Sequence, residues 1–347
     1  MPSRETPKRP RPHDRSSVSG SDRGWDAEVA VGVDLGGTKV ALGAVRTDGR
    51  LLDTERFPTG AGRPAGEIIA DIADRIDARW GSRLDSSSPV GVGVAGQVDP
   101  DGTVLFGPNL NWHDVPLRTQ LARALGRPVA VLNDVQAATY GEWRFGAGRG
   151  SDDLVCLFVG TGVGGGIVAD GRLRHGATGT AGELGHLTVE RSGRKCRCPN
   201  SGCLEAYAGG WAIAERAREA VAADRARGGR LLALAGELAS VTSETVEKAY
   251  AAGDPLAQEL VEETMGYLVC GLVSIVNGIN PRAIVLGGGV LEGFLPLVPS
   301  LGHQVRARAL PAAAEGLRIV PAALGADSGV VGAAAYAREV GARRGGG

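Results

Sequence analysis

The chain has 347 residues, 43% of them hydrophobic, with 38 Lys and Arg against 39 Asp and Glu. That length suggests two domains, and the balanced charge leaves no bulk field to draw in nucleic acid or an anionic membrane. No apolar run approaches bilayer length, and five cysteines, an odd count, suit a reducing cytosol better than export.

Residues 1–26, rich in Pro, Arg and Ser and without the apolar stretch of a signal peptide, read as a disordered, solvated tail. Order is expected from Glu28. Val29-Ala-Val-Gly-Val-Asp34 reads as a buried strand ending in a Gly-Gly turn, residues 40–45 as the returning strand, and Asp48-Gly49 as a hairpin signal. Ile68, Ile69, Ile72, Ala73 and Ile76 recur at helical spacing over 68–80, followed by a Ser-rich loop and a strand over 90–94. A helix marked by Leu117, Leu121 and Leu125 precedes a strand over 129–132. Strand and helix alternate, as in an α/β domain whose ligands gather at strand ends.

A second round begins with the apolar run Leu154-Val-Cys-Leu-Phe-Val159, enters Gly160-Thr-Gly-Val-Gly-Gly-Gly166 and turns back through Asp170-Gly171. The two halves open alike, which suggests a duplicated α/β unit facing itself across a cleft. Helices are expected over 211–227 and 255–277, then a strand over 283–286 ending in Gly287-Gly-Gly289, and a closing helix over 329–339. Cys156 and Cys270 lie in apolar stretches and are expected to be buried free thiols.

Asp34-Leu-Gly-Gly-Thr-Lys39 places an acid at a strand end, then a turn whose N–H groups and hydroxyl suit a phosphate. Asp34 suits Mg2+, which takes oxygen ligands and keeps waters beside substrate phosphates. Gly160-x-Gly162-x-x-Gly165 matches a dinucleotide fingerprint, but that motif must open a helix, and the residues after it read as strand and hairpin. Any one glycine cluster could be an ordinary tight turn; three at three strand ends point to phosphate contacts. Asn133-Asp134, after the strand over 129–132, reads either as a helix N-cap or as a working pair. Phosphoryl transfer to an alcohol needs a group to accept the hydroxyl proton, and Asp134 is the best-placed acid.

Glu183-Leu-Gly-His186 is followed by Cys196-Arg-Cys198-Pro-Asn-Ser-Gly-Cys203-Leu-Glu205. Three thiolates and an imidazole complete a tetrahedral zinc set with no position left for water, so the metal is expected to be structural; a metal-free cysteine cluster is the alternative. Gly202 supplies the backbone freedom of the turn. The neighbouring carboxylates could hold a polyol's hydroxyls.

Taken in order, these motifs, with Asn109-Leu-Asn-Trp-His-Asp-Val-Pro-Leu117 and Asn280-Pro281, resemble the ROK family of sugar kinases and repressors, within the actin-like ATPase superfamily that includes hexokinases. The resemblance covers nearly everything after the tail. It implies two actin-like (ribonuclease H-like) α/β domains flanking a cleft, with a small zinc-bound knot. The expected boundaries are 27–140 for the smaller domain, closed by a C-terminal helix over 327–343, and 141–326 for the larger, with the zinc site at 186–203. The implied activity is ATP-dependent phosphorylation of a hexose, Asp134 being the general base toward the 6-hydroxyl. Asn109, Asn133, Asp134, Glu183, His186 and Glu205 would contact the sugar. The turns at Asp34, Gly36, Gly37, Thr38 and Lys39, at Gly160, Thr161 and Gly162, and at Gly287, Gly288 and Gly289 would serve Mg-ATP. His186, Cys196, Cys198 and Cys203 would bind zinc, His186 using its other ring nitrogen on the sugar.

Glucose is the expected substrate of a cytoplasmic enzyme acting as a homodimer or homotetramer, with no nucleic-acid or membrane partner. N-acetylglucosamine, N-acetylmannosamine, mannose and fructose are the rival sugars. A sugar-responsive transcriptional regulator and a sensor without turnover are the rival functions. A helix-turn-helix is not expected in the Pro-rich tail, which lacks apolar periodicity. Val135-Gln136, where the family usually has Ala-Asn, Pro199 in place of Gly, and Ala95 in place of Pro depart from the pattern without removing a named chemical group.

Overall fold

The computed structural model describes Trp25 and residues 29–345. The expected tail lies outside these apart from Trp25, which packs on the smaller core with the Arg83 guanidinium 5.3 Å from its ring centroid.

Strands β1 (Val29–Leu35), β2 (Lys39–Arg46), β3 (Leu51–Pro58), β4 (Val90–Val94), β5 (Gln97–Val98), β6 (Val104–Gly107), β7 (Trp112–Val115) and β8 (Val129–Asn133) form the first half. Strands β9 (Leu154–Val159), β10 (Val163–Ala169), β11 (Arg172–Leu173), β12 (Ala283–Gly287) and β13 (Arg318–Pro321) form the second. Their sheets run β3-β2-β1-β4-β8 and β11-β10-β9-β12-β13, with β5-β6-β7 as a small antiparallel appendage. In each large sheet the first three strands in sequence are antiparallel and the last two join in parallel. The duplication expected from the two glycine-rich hairpins is thus present strand for strand. Each order reverses beside its first strand, so the Asp34 and Gly160 turns both leave a topological switch point, where open α/β sheets bind ligands.

The continuous apolar runs of β1, β4, β9 and β12 are buried on both faces, as parallel-sheet strands must be. Helices Ala65–Trp80 and Leu117–Leu125 cover one face of the first sheet, and the closing helix Ser328–Gly345 covers the other. That helix lies unusually close: a Cβ on Gly32 would meet the Val330 carbonyl oxygen at 1.9 Å, and one on Gly91 the Ala333 carbonyl oxygen at 1.8 Å. Glycine in these strands permits the backbone contact. The second sheet carries helices Gly210–Ala223 and Pro255–Ile279 on its larger core.

Helix Asp134–Arg144 packs on the closing helix, β4 and both β9 and β10, and so stands between the two sheets. Near its end the wholly buried Glu142 accepts N–H bonds from Ala147 (2.9 Å), Ala323 (3.0 Å) and Leu324 (2.7 Å), tying together the two passages of the chain between sheets.

Two expectations need correction, and two elements were not expected. Cys270 is exposed, because the buried stripe of its helix runs through Val269, Gly271 and Leu272 and leaves position 270 outward; Cys156 is buried as expected. The helix expected over 211–227 stops at Ala223, where Asp224 turns extended. Strand β3 and the β5-β6-β7 sheet carry too many charged or aromatic residues in short runs to stand out in sequence. Among the described residues no helix is long and apolar enough to cross a membrane.

Candidate active site and metal knot

Asn133 ends β8 and caps the following helix: its Oδ1 accepts from Val135 N (2.9 Å) and Gln136 N (3.1 Å), and its Nδ2 donates to Gly96 O (3.1 Å) and Asp134 Oδ1 (2.9 Å). The cap is real, and it also aims the neighbouring acid. Asp134 occupies the first turn, where the helix dipole favours its charge. Burial pushes its carboxyl above the ordinary range, while bonds from Val135, its own backbone and Asn133 hold it down.

Two cavities meet beside this residue. One, of about 360 Å3, is lined by Asp34, Lys39 and Asp134 on one side and Phe158, Gly288 and Gly289 on the other. The second, of about 30 Å3, is bounded by Asn133, Gln136, Gly165, Gly179, Ala181 and Glu183. Val135 touches both.

Asp34 ends β1 at the larger cavity. Its carboxyl is pushed up to about 6, first by burial and then by the charge of Asp134, with Lys39 and Arg56 opposing. A divalent cation would relieve both costs, so the position fits a Mg2+ site. The turn after it is closed by Gly36 N to Lys39 O (3.1 Å) and braced by Thr59, buried within the first half, whose hydroxyl donates to Gly36 O (2.7 Å) and whose N–H donates to Thr38 O (3.0 Å). Thr38 and Lys39 are exposed. Gly37 abuts Asn109: a Cβ there would stand 2.6 Å from the Asn109 Cβ. Asn109 is thus an exposed residue beside the Gly36-Gly37 turn.

On the second sheet, Gly160 N bonds Gly162 O (2.9 Å), and Gly160 O and Thr161 O accept from Gly210 N (2.9 Å) and Trp211 N (3.1 Å). A Cβ on Gly162 would meet Glu205 Oε2 at 2.4 Å, so a larger residue there would push that carboxylate aside. Gly287 ends β12; Gly288 turns at φ +92°, and Gly289 opens a short helix.

Glu205 accepts from Val163 N (2.9 Å) through Oε2 and from the Trp211 indole (3.3 Å) through Oε1. Glu183 lies within electrostatic reach of Asp134, Glu205 and His186: burial raises its pKa foremost, His186 lowers it, and the two acids raise it. Asn133 and Glu183 thus reach Asp134, and His186 and Glu205 join the group through Glu183.

His186 joins this group to the cysteines. Its Nε2 lies 3.9 Å from Glu183 Oε2, and its Nδ1 lies 3.7 Å from Cys196 Sγ. Cys198 and Cys203 sulfurs are 3.6 Å apart, and all four ligand atoms lie within 4.8 Å of one another. A tetrahedron with Zn–S bonds near 2.3 Å has edges of about 3.8 Å, so the donor set fits zinc in size and chemistry. Gly202 takes φ +74° and lets the turn pass the Glu190 carbonyl. Burial and the other two thiols push Cys203 up to about 12, a cost that a bound cation removes.

Several supporting residues gave no sequence signal: Thr59 is far from the turn it braces, and Trp211 and Arg197 look like ordinary helix and loop residues. The Arg197 guanidinium stands 4.5 Å over the Trp211 ring, so the indole that bonds Glu205 is also covered by the knot.

The sequence model of the ROK family matches residues 30–340. A glucokinase of Halalkalibacterium halodurans is 37% identical over 308 residues, 87% of this chain and 92% of the relative. A glucokinase of Streptomyces coelicolor is 36% identical over 319 residues, 90% of this chain and 98% of the relative. Among solved structures, a ROK family glucokinase from Streptomyces griseus in complex with glucose and AMPPNP matches with TM-score 0.77 at 35% identity, covering 90% of this chain and 99% of that one. With paired sheets of one topology, glycine turns at both switch points and a His-Cys knot beside a convergent acid cluster, the chain belongs to the ROK family.

Proposed function

We propose that this chain transfers the γ-phosphoryl group of ATP to the 6-hydroxyl of glucose, with Asp134 as the general base. The observation that carries this reading is the place of Asp134, on the wall of a nucleotide-sized cleft and next in sequence to Asn133 and Val135, which line a small polar pocket. Glucose would be held by Asn133, Glu183, His186 and Glu205, with Asn109 closing from the Gly37 side. The phosphates would lie between the Gly36-Gly37-Thr38 turn and the Gly160-Thr161-Gly162 and Gly287-Gly288-Gly289 turns.

Asp134 accepts the hydroxyl proton as the sugar oxygen bonds to phosphorus, while the bond to the bridging oxygen breaks and ADP leaves. A carboxyl with a raised pKa is a stronger proton acceptor than an exposed one. Mg2+ at Asp34 would neutralise phosphate charge. Closure of the two halves would exclude water, which would otherwise compete as acceptor. Zinc would hold the knot and fix which His186 nitrogen faces the sugar.

An ATP-dependent assay for glucose 6-phosphate tests the reading; absence of product with the purified full chain would sink it. We further infer a cytoplasmic homodimer or homotetramer, supported by the reduced thiols and the resemblance of the chain to its family. Sedimentation as a monomer at micromolar concentration would refute the assembly.

A further inference from the structure

Gln136 is buried to 3% exposure two residues after Asp134, and its amide is fully engaged. Nε2 donates to Gly179 O (3.0 Å) and Ala181 O (3.2 Å), and Oε1 faces His175 Nδ1 at 3.0 Å. Two carbonyl partners on one side dictate the amide's orientation, so His175 must carry its proton on Nδ1. Its Nε2 then accepts from the Tyr336 hydroxyl (3.3 Å) on the closing helix. The segment so gripped is the wall of the small pocket. Ala181 N returns to His175 O (2.9 Å), and Gly179 at φ +86° presses so close to β5 that a Cβ would stand 2.0 Å from Val98 O.

We propose that Gln136 is a specificity-determining positioning residue that clamps the wall at residues 179–182 to the helix bearing Asp134, and so rejects hexoses with bulky substituents such as an acetamido group. This rests on the hexokinase reading above. The space left against that wall, about 30 Å3, takes little beyond a few waters, so an acetyl group that projects from the bound sugar toward the wall needs the wall to move. Moving it means breaking both Nε2 bonds inside a buried network, where unsatisfied partners are costly.

The test compares Gln136→Ala, Gln136→Met and Gln136→Glu in the full chain, by steady-state kinetics with glucose and N-acetylglucosamine, beside melting curves. Met keeps the volume without a donor, and Glu turns an acceptor toward two carbonyl oxygens. The expected result is a glucose KM raised roughly 5- to 30-fold with kcat within about threefold, as loss of ground-state positioning requires. The ratio of kcat/KM for glucose over N-acetylglucosamine should fall about tenfold, with Glu the most affected. If the variants melt too low to assay, His175→Phe, which removes the Nδ1 donor to Gln136 together with the Nε2 acceptor of Tyr336, should shift the same ratio in the same direction. Unchanged KM and ratio in an active protein, or a loss confined to kcat, would overturn the clamp. A wild-type chain that does not phosphorylate glucose would instead overturn the reading beneath it.

Discussion

His186 turns Nδ1 toward Cys196 Sγ at 3.7 Å and leaves Nε2 3.9 Å from Glu183 Oε2, so one imidazole links the knot to the acid cluster. Replacing Cys198 by Ser, or stripping the metal with a chelator, should therefore raise the glucose KM as well as lower the Tm. The KM rise is expected at about tenfold, in the range for losing a metal's supporting shell. A Cys198→Ser protein with altered Tm but wild-type KM would break the coupling.

Asp134→Asn should keep the fold and the Asn133 cap while lowering kcat by about 10²–10⁴-fold, with glucose binding by calorimetry little changed. Retention of near-normal kcat would remove Asp134 from the proton transfer.

Trp211 connects the knot to Glu205 through a single indole N–H. Trp211→Phe keeps a ring beneath Arg197 but loses that donor, and should raise the glucose KM about 3- to 10-fold with kcat nearly intact. An equal loss in Trp211→Phe and Trp211→Leu would support the hydrogen bond over the stacking; no loss in Trp211→Phe would refute it.

Asp34 has a pH signature of definite sign. Its folded pKa, about 6, lies above its ordinary 3.8, so the native state binds the extra proton between these values. The contribution to stability is therefore most favourable below the unfolded pKa and is lost as pH rises through 6, by about 3 kcal/mol in all. Asp34→Asn should raise the urea midpoint at pH 7–8 and flatten its pH dependence between 4 and 6. A variant less stable than wild type at pH 8 would contradict this.

Gly91 and Gly278 should respond to alanine in opposite senses. A Cβ at Gly91 collides with the closing helix backbone at 1.8 Å, and the cost is expected at about 3 kcal/mol or more. Gly278 is exposed near the end of helix Pro255–Ile279 with open space around its Cβ position, and alanine should stabilise by about 0.5–1 kcal/mol. Denaturant titration of both variants checks the pair.

What could be read from the chain alone was whatever its neighbours in sequence decide. The apolar runs of β1, β4, β9 and β12, the glycine turns after Asp34, Val159 and Leu286, and the Cys-x-Cys-x4-Cys spacing all carry their meaning within a dozen residues. Periodicity and ligand spacing are local properties, so the α/β class, the duplication and the knot were legible. Position 270 was misjudged because an all-apolar helix does not reveal which side faces out.

Only the folded chain decided which side chains meet outside their own element. Thr59 reaches the Gly36 turn and Gln136 grips residues 179–181 because strand order brings together segments 23 to 45 positions apart, while Trp211 meets Glu205, six positions away, only because the chain turns between their two helices. Gly32 and Gly91 look like weak points in good strands until the closing helix, some 240 to 300 positions later, is laid against them. Such contacts depend on distance in space, which hydrophobic pattern and turn chemistry constrain only through the completed packing.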